Sequence, residues 1–357
     1  MTKGIPQSLQ VVETHGDFKI EMSPVYDLLL SLYVISSTAS DSKPGWARSV
    51  KRKLQPSSRK TLRYFFETEE HLGLNALALA LRLPPPRTVE DFLHLLEKLD
   101  TEDFVHTLLA RLDPAMPLLP SLLHHLWEKR KLTEEERRAL KELQGRYSVE
   151  TLSRLEAFHK HREELHKDFI VLLSEYWTGF FSHEFERILP ELEGSAKHLQ
   201  EMARLSSMTE ILSQIAGGLI LPANLSGKQF TFAPSFYSTP FVFNQSSEKE
   251  FLLIFPARSP RNQDEAAKGE VIRALRALAD PTRLEIVRLL AQREMYALEL
   301  ARLLSLAHPT ILHHMATLRV AGFVQTELRG GNSYYHLQSE KANEVFQQLN
   351  VLLTKHI

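Results

Sequence analysis

The sequence predicts a mainly α-helical protein carrying a few short β-strands, divided into a large amino-terminal domain (1–264) and a smaller carboxyl-terminal one (265–357). Apolar residues recur at three- and four-residue spacing through most of the chain, the period of a helix with one buried face. Strand-like alternation is confined to short runs near residues 9–22 and 228–255 and after Phe323. A polar, breaker-rich stretch, Ala257-Arg-Ser-Pro-Arg-Asn-Gln-Asp264, reads as the linker. At 357 residues the chain has room for each part to bury a core of its own.

Taken in order, the first element is a small hairpin. Leu9–Glu13 and Phe18–Met22 flank Thr14-His-Gly-Asp17, where Gly16 supplies turn freedom. Ser23 and Pro24 then start a helix as cap and first-turn residue. Val25, Tyr26, Leu28, Leu29, Leu30, Leu32, Tyr33, Val34 and Ile35 make it apolar on most sides, so it belongs inside. After Pro84-Pro-Pro86 helices are expected over 88–99, 101–112, 117–130 and 133–144, followed by one long helix from about 149 to 178. Thr133 with Glu136 forms a capping-box pattern. Leu152, Leu155, Phe158, His159, Arg162, Leu165, Phe169, Leu172 and Tyr176 line one core-facing stripe of that long helix. Helices continue to about Leu219, with breaks expected near Pro190 and Gly194. Three short strands follow at Lys228–Ala233, Pro240–Phe243 and Phe251–Phe255, as sheet partners for the first hairpin.

Composition excludes several classes. Hydrophobic content of 43% and charged content of 24% are those of an ordinary soluble globular protein. The net charge of −1 gives no global sign of a polyanionic partner. From Glu265 onward there are 11 Lys/Arg against 9 Asp/Glu, a faint positive bias in the tail. The absence of cysteine removes disulfides, thiolate metal sites and cysteine nucleophiles, and fits a reducing compartment. Residues 1–10 lack the apolar core of a signal peptide, and no apolar run approaches the ~20 residues that span a bilayer. A soluble cytoplasmic protein with no membrane partner is expected.

The carboxyl-terminal part is the most legible. Gly269–Leu278 presents Val271, Ile272, Leu275 and Leu278 on one helix face. Asp280 caps the next helix, Pro281 occupies its first turn, and Leu284, Ile286, Val287, Leu289 and Leu290 fill it. Leu298–Leu304 is a short third helix, Ser305-Leu306 a tight turn, and Pro309–Ala321 a fourth helix ended by Gly322. In that fourth helix Ile311, Met315 and Leu318 stack on one face, at 100° per residue, and Pro309, His313, Ala316 and Thr317 lie opposite, with Thr310 beside them. Short or planar polar side chains on an outward face can approach base edges in a major groove. No Asp or Glu occurs between Leu300 and Thr326, the stretch that would meet phosphates. Phe323–Leu328 and Ser333–Leu337 then pair as a hairpin around Arg329-Gly-Gly-Asn332, and one of Tyr334 and Tyr335 at least packs within it. A final helix, about Ser339–His356, carries Ala342, Val345, Phe346, Leu349, Leu352 and Leu353.

Leu278–Leu290, Leu298–Leu304, His308–Met315 and Arg329–Asn332 together resemble the ArsR family of bacterial transcriptional repressors, over roughly the last quarter of the chain. The resemblance implies a winged helix-turn-helix that binds double-stranded DNA. Contacts are expected from His308, Pro309, Thr310, His313, Thr317 and Arg319 on the reading helix, and from Arg329 and Asn332 on the wing. The first and last helices of the module resemble those through which the family forms homodimers. Two departures stand out. Ala307 and Leu312 occupy positions where the family commonly carries Ser, so operator sequence does not transfer. The family's familiar metal sites are absent: Tyr296 and Leu298 stand at the thiolate positions, and the last helix lacks the Asp/His spacing of the other site.

The amino-terminal part resembles the long helical extension found on some regulators of this family, and names no ligand. His159-Lys-His-Arg-Glu-Glu-Leu-His166 lacks the paired histidines of a His-Glu-x-x-His helix and reads as a solvated charged face, as do His94 and His124-His125. No metal or cofactor is expected. Tyr176, Trp177, Phe180, Phe181 and Phe185, with Phe230, Phe232, Phe236, Phe241 and Phe243, read mostly as core and leave room for an effector pocket. No Gly-rich phosphate loop, nucleophile elbow or paired-carboxylate motif occurs, which points away from an enzyme. The expectation is a DNA-binding transcriptional regulator, a repressor by resemblance, with a small-molecule effector as a further partner. The alternatives are an enzyme, or a pure assembly domain, fused to an autoregulatory DNA-binding module.

Overall fold

The computed structural model describes residues 11–13, 18–36, 44–67, 72–110, 122, 124–125, 128, 131, 133–146, 149–216, 227–239, 242–257, 263–306, 308–329 and 332–354. Two compact units are present: Met1–Ala196 with Gly227–Thr239 and Phe243–Ala257, and Lys197–Ser226 with Pro240–Val242 and Arg258–Ile357. None of the described helices is long and apolar enough to cross a membrane.

The first unit is built on a five-stranded sheet in the order β1-β2-β3-β5-β4, from β1 (Val11–Glu13), β2 (Phe18–Glu21), β3 (Gln229–Ser235), β4 (Phe243–Ser246) and β5 (Glu250–Pro256). Its centre is parallel, with Phe18 opposite Phe230 and Phe232 opposite Leu253, and both edges are antiparallel. The expected hairpin and strands thus share one sheet, although the middle strand begins at Phe243 rather than Pro240. Residues 14–17 lie outside the described residues, as do Pro240 and Phe241. A parallel neighbour needs a long crossover, and the β2–β3 connection contains most of the unit's helices.

These helices are α1 (Pro24–Ser36), α2 (Pro44–Lys53), α3 (Pro56–Phe66), α4 (Leu72–Asn75), α5 (Leu77–Ala80), α6 (Val89–Lys98), α7 (Thr101–Ala110), α8 (Glu134–Arg146), α9 (Val149–Lys160), α10 (Arg162–Tyr176) and α11 (Ser182–Ala203), of which the residues from Lys197 onward belong to the second unit. Helix α1 starts where Ser23 Oγ accepts from the Val25 amide at 3.2 Å, and Leu28, Leu29, Leu30 and Leu32 are all fully buried. Its all-round apolar sequence therefore belongs to a central helix. Four helices between residues 44 and 80 have no counterpart in the sequence-based expectation; two of them, α4 and α5, are single four-residue turns, too short for a helical period to show. Most of the expected 117–130 helix lies outside the described residues; Leu122, His124 and His125 are helical.

Three expectations are corrected. The long 149–178 helix is two helices, α9 and α10, separated at His161, and a π-helical turn at Trp177–Phe181 follows. Helix α11 runs unbroken through Pro190 and Gly194. The histidine-rich stretch is a solvated face only in its middle, where Lys160, His161, Glu163 and Glu164 are exposed. His161 is exposed, but His159 and His166 are only 5% and 6% exposed. His166 stacks on Phe104 with centroids 4.2 Å apart, and its ring nitrogens face the Leu96 carbonyl at 3.0 Å and Thr101 Oγ1 at 3.3 Å. Burial holds its pKa below the ordinary histidine value.

Arg87 is the polar hub of this unit and is 1% exposed. It pairs with Glu21 on β2 and, at 2.5 Å, with Glu250 on β5. Its Nε donates to the Ala80 carbonyl at 2.9 Å, and Tyr26 on α1 donates to Glu21 at 2.8 Å. One buried cation thereby binds the sheet, α1 and the turn after α5. A second tie runs from Asp27 on α1, which accepts from Ser235 Oγ at 2.7 Å and the Tyr237 amide at 3.0 Å. The aromatic group expected around Tyr176–Phe185 is core packing: Tyr176 and Phe181 are fully buried, and Phe181 sits 5.8 Å from Tyr237.

The second unit contains α12 (Met208–Ala216), α13 (Gln263–Leu278), α14 (Pro281–Leu290), α15 (Ala297–Leu304), α16 (His308–Val320) and α17 (Ser339–Thr354), with a three-stranded sheet in the order β6-β8-β7. Its strands are β6 (Met295–Tyr296), β7 (Val324–Arg329) and β8 (Asn332–Leu337). Helix α13 begins at Gln263, six residues earlier than expected, so the polar end of the predicted linker is helical; residues 258–262 lie outside the described residues. Among the described residues the core is apolar: Ala274, Ile286, Leu300, Ile311, Leu318 and Phe323 are fully buried, with Met295, Met315, Val324 and Val345 nearly so. This is the winged helix-turn-helix that the sequence predicts.

Candidate nucleic-acid interface

Local chemistry sets the two helices of the turn. Asp280 caps α14 by accepting from the Arg283 amide at 2.9 Å, and that N–H holds its carboxyl below the usual carboxylate range. The Arg283 side chain reaches back to the carbonyls of Ala277 at 2.6 Å and Arg276 at 2.9 Å, tying the end of α13 to the start of α14. His314 Nδ1 lies 4.0 Å from the same Asp280 carboxylate, so α16 is referenced to this corner too. The cap was legible in the sequence. The roles of Arg283 and His314 were not, because nothing in the spacing says which carbonyls or carboxylate they meet.

Between α15 and α16 the chain reverses at Ser305, whose φ of 55° lies in the left-handed region. The Leu306 amide returns to the Ala301 carbonyl at 3.0 Å, closing the end of α15. The far end of α16 closes in the same way. Gly322 adopts φ of 80°, its amide bonds Arg319 O at 2.9 Å, and the Phe323 amide bonds Leu318 O at 3.0 Å. This is the expected glycine stop, with Phe323 as the buried residue beyond it.

Helix α16 turns Ile311, Met315 and Leu318 into the core. Thr310 and Arg319 are exposed and Thr317 is half-buried. His308, Pro309 and His313 lie on this helix, with side chains outside the described residues. Arg329 and Asn332 are the last and first residues of β7 and β8 and pair with each other, so both sit in the ladder that flanks Gly330-Gly331. Tyr335 is buried in the wing sheet, and Tyr334 contacts Tyr296 edge-on at 5.9 Å.

Two carboxylates of this unit, on α14 and α15, are tied to arginines. Glu285 takes Arg288 at 2.8 and 2.5 Å, and Glu299 is held by Arg293. On the outer helices α13 and α17, Val271, Ala274 and Val345 turn inward, whereas Ile272, Leu275, Phe346 and Val351 are 50%, 38%, 54% and 50% exposed. Ile272 and Leu275, three residues apart, share one side of α13, and these exposed apolar side chains leave surface that water covers poorly.

Residues 280–326 match the model of the bacterial regulatory protein arsR family. Residues 10–254 match the model of a family of unknown function, DUF5937. Over 75 residues the chain is 36% identical to the HTH-type transcriptional regulator KmtR of Mycobacterium tuberculosis, covering 21% of this chain and 58% of that protein. Over 85 residues it is 34% identical to the arsenical resistance operon repressor of Staphylococcus xylosus, covering 24% of this chain and 82% of the repressor. A solved homodimeric winged helix-turn-helix DNA-binding domain from Mycobacterium bovis, titled a possible ArsR-family transcriptional regulator, is similar over 28% of this chain and 91% of its own length, at 28% identity and a TM-score of 0.23. The chain therefore belongs to the DUF5937 family through residues 10–254 and, through its carboxyl-terminal module, to the arsR family of bacterial regulatory proteins.

Proposed function

We propose that this protein is a cytoplasmic, homodimeric DNA-binding transcriptional repressor of the arsR type. Residues 265–357 bind DNA and dimerise, and residues 1–264 sense a signal or direct assembly. The observation that carries the reading is the two-sidedness of α16: three apolar side chains hold it to the core while Thr310 and Arg319 face outward, on a stretch without a carboxylate. A helix so mounted, beside a Gly-tipped hairpin, suits a major groove with the wing along the backbone. His308, Pro309, Thr310, His313 and Thr317 read base edges in this reading, Arg319 takes a phosphate, and Arg329 and Asn332 follow the backbone or minor groove from the wing.

Pairing of two copies through Ile272, Leu275, Phe346 and Val351 covers these exposed apolar side chains. It also sets two reading helices about 34 Å apart, one turn of duplex. A signal at residues 1–264 that alters this spacing needs only a few kcal/mol of differential affinity to switch occupancy.

The test is selection of bound duplexes from a random-sequence library by the full chain, followed by anisotropy titration of an enriched duplex at several salt concentrations. Sequence-selective binding that weakens steeply with salt is expected. Arg319→Ala lowers the salt slope by about one counter-ion and weakens all duplexes alike. Thr310→Ala instead relaxes preference at one position by about 1–3 kcal/mol. Failure to enrich any sequence, or affinity indifferent to salt, overturns the reading.

A further inference from the structure

We propose that Glu102, His124 and His159 form a site for a divalent first-row transition-metal cation, of the zinc type, within the first unit. Their ligand atoms all lie within 4.8 Å of one another although they come from three separate segments: α7, the helical residues around His124, and the end of α9. The two imidazoles meet edge to face, with centroids 5.8 Å apart. A fourth donor stands beside them, since Glu128 Oε1 is 3.4 Å from His159 Nε2. Two imidazoles with one or two carboxylates make a donor set that zinc and its neighbours favour over magnesium or calcium.

The contrast with His166 separates this arrangement from ordinary core histidine. Both His159 and His166 are buried. His166 meets a carbonyl, a hydroxyl and a phenyl face, which a neutral imidazole satisfies completely. His159 instead faces a second imidazole and acidic side chains. The next residue along, His125, is committed elsewhere: its Nδ1 is 2.6 Å from Glu136, which accepts from the Thr133 amide at 2.8 Å in the expected capping box. That pair anchors the His124 segment from outside the cluster.

Arg162 supplies an internal competitor. Its Nε is 2.5 Å from Glu102 Oε1, and its Nη1 donates to the His159 carbonyl at 2.9 Å. A cation and Arg162 seek the same carboxylate. Zinc bonds of about 2.0–2.2 Å place tetrahedral ligands roughly 3.3–3.5 Å apart, so a spread of up to 4.8 Å closes on binding. The shared cation then cross-links α7 to the end of α9 through Glu102 and His159, which is the kind of coupling a signal-receiving domain needs. That consequence rests on the regulator reading; metal binding does not, and its test reads metal alone.

The experiment is a competition titration of the full chain with zinc against a chromophoric chelator, paired with the visible absorption of bound cobalt(II). One equivalent is expected, with cobalt bands of low-symmetry, low-coordinate type. Glu102→Gln, His124→Gln and His159→Gln each weaken binding at least about tenfold, His161→Gln leaves it unchanged, and Arg162→Gln tightens it. His159 is buried, so circular dichroism accompanies its variant; Glu102 and His124 are accessible and carry the test if that variant unfolds. Absence of stoichiometric zinc, or binding that survives Glu102→Gln with His124→Gln, overturns the proposal.

Discussion

The two units solve the problem of polar groups in opposite ways. The first buries them: Arg87 sits with Glu21 and Glu250 among fully buried apolar side chains, and Tyr237 donates to Glu184 beneath Arg187. The second keeps its core apolar and leaves its ion pairs, such as Glu285–Arg288, at the surface. A buried charge contributes little net stability, yet it tolerates only the arrangement in which all partners are present. An apolar core tolerates more and leaves the polar inventory free for the surface. The first unit is thus specified by long-range polar matching, and the second by pattern, caps and turns.

The largest test of this contrast is Arg87→Met. Removing the cation leaves Glu21 and Glu250 facing each other in the interior, at a cost of about 3–5 kcal/mol. Urea denaturation measures it, and a loss below about 1 kcal/mol would show that the hub is not structural. In the second unit a backbone position matters more than any charge. Gly322→Ala forces a β-carbon into the left-handed region and costs about 1–2 kcal/mol. A thermal melt followed by a probe in that module detects it, and an unchanged midpoint would mean that the glycine stop is dispensable.

The smallest expected effect is a pH dependence from His166. Burial lowers its folded pKa, so as pH falls the unfolded chain takes the proton first. Its contribution is complete above the unfolded value near 6.5 and is lost as pH falls from there toward the folded pKa. His166→Gln stays neutral throughout. Paired denaturation series at about pH 7.5 and pH 5.5 should therefore show a shallower fall for the variant than for the wild type. Equal slopes would place the imidazole in contact with water.

The difference between the units also explains what could be read in advance. The winged module declared itself because its signals are local: Asp280 before Pro281, the apolar spacing Ile311, Met315, Leu318, and Gly322 after the last helical turn. Each acts within a few residues, where propensity and capping rules operate. The stretch from His159 to His166 misled because its charged neighbours dominate the pattern, while burial of its two end histidines depends on α7 and the segment around His124. Pro190 misled for a related reason, since a proline in a long helix can be carried by the packing around it.

The sequence alone determined the helical class, the order of elements in the carboxyl-terminal module and the inward apolar face of its fourth helix, because periodicity and caps are properties of neighbouring residues. Tertiary structure alone decided that Arg87 meets Glu21 and Glu250, 66 and 163 residues away, and that Glu102, His124 and His159 converge. Contacts across such separations follow from how sheet and helices close on one another, and no local spacing encodes them.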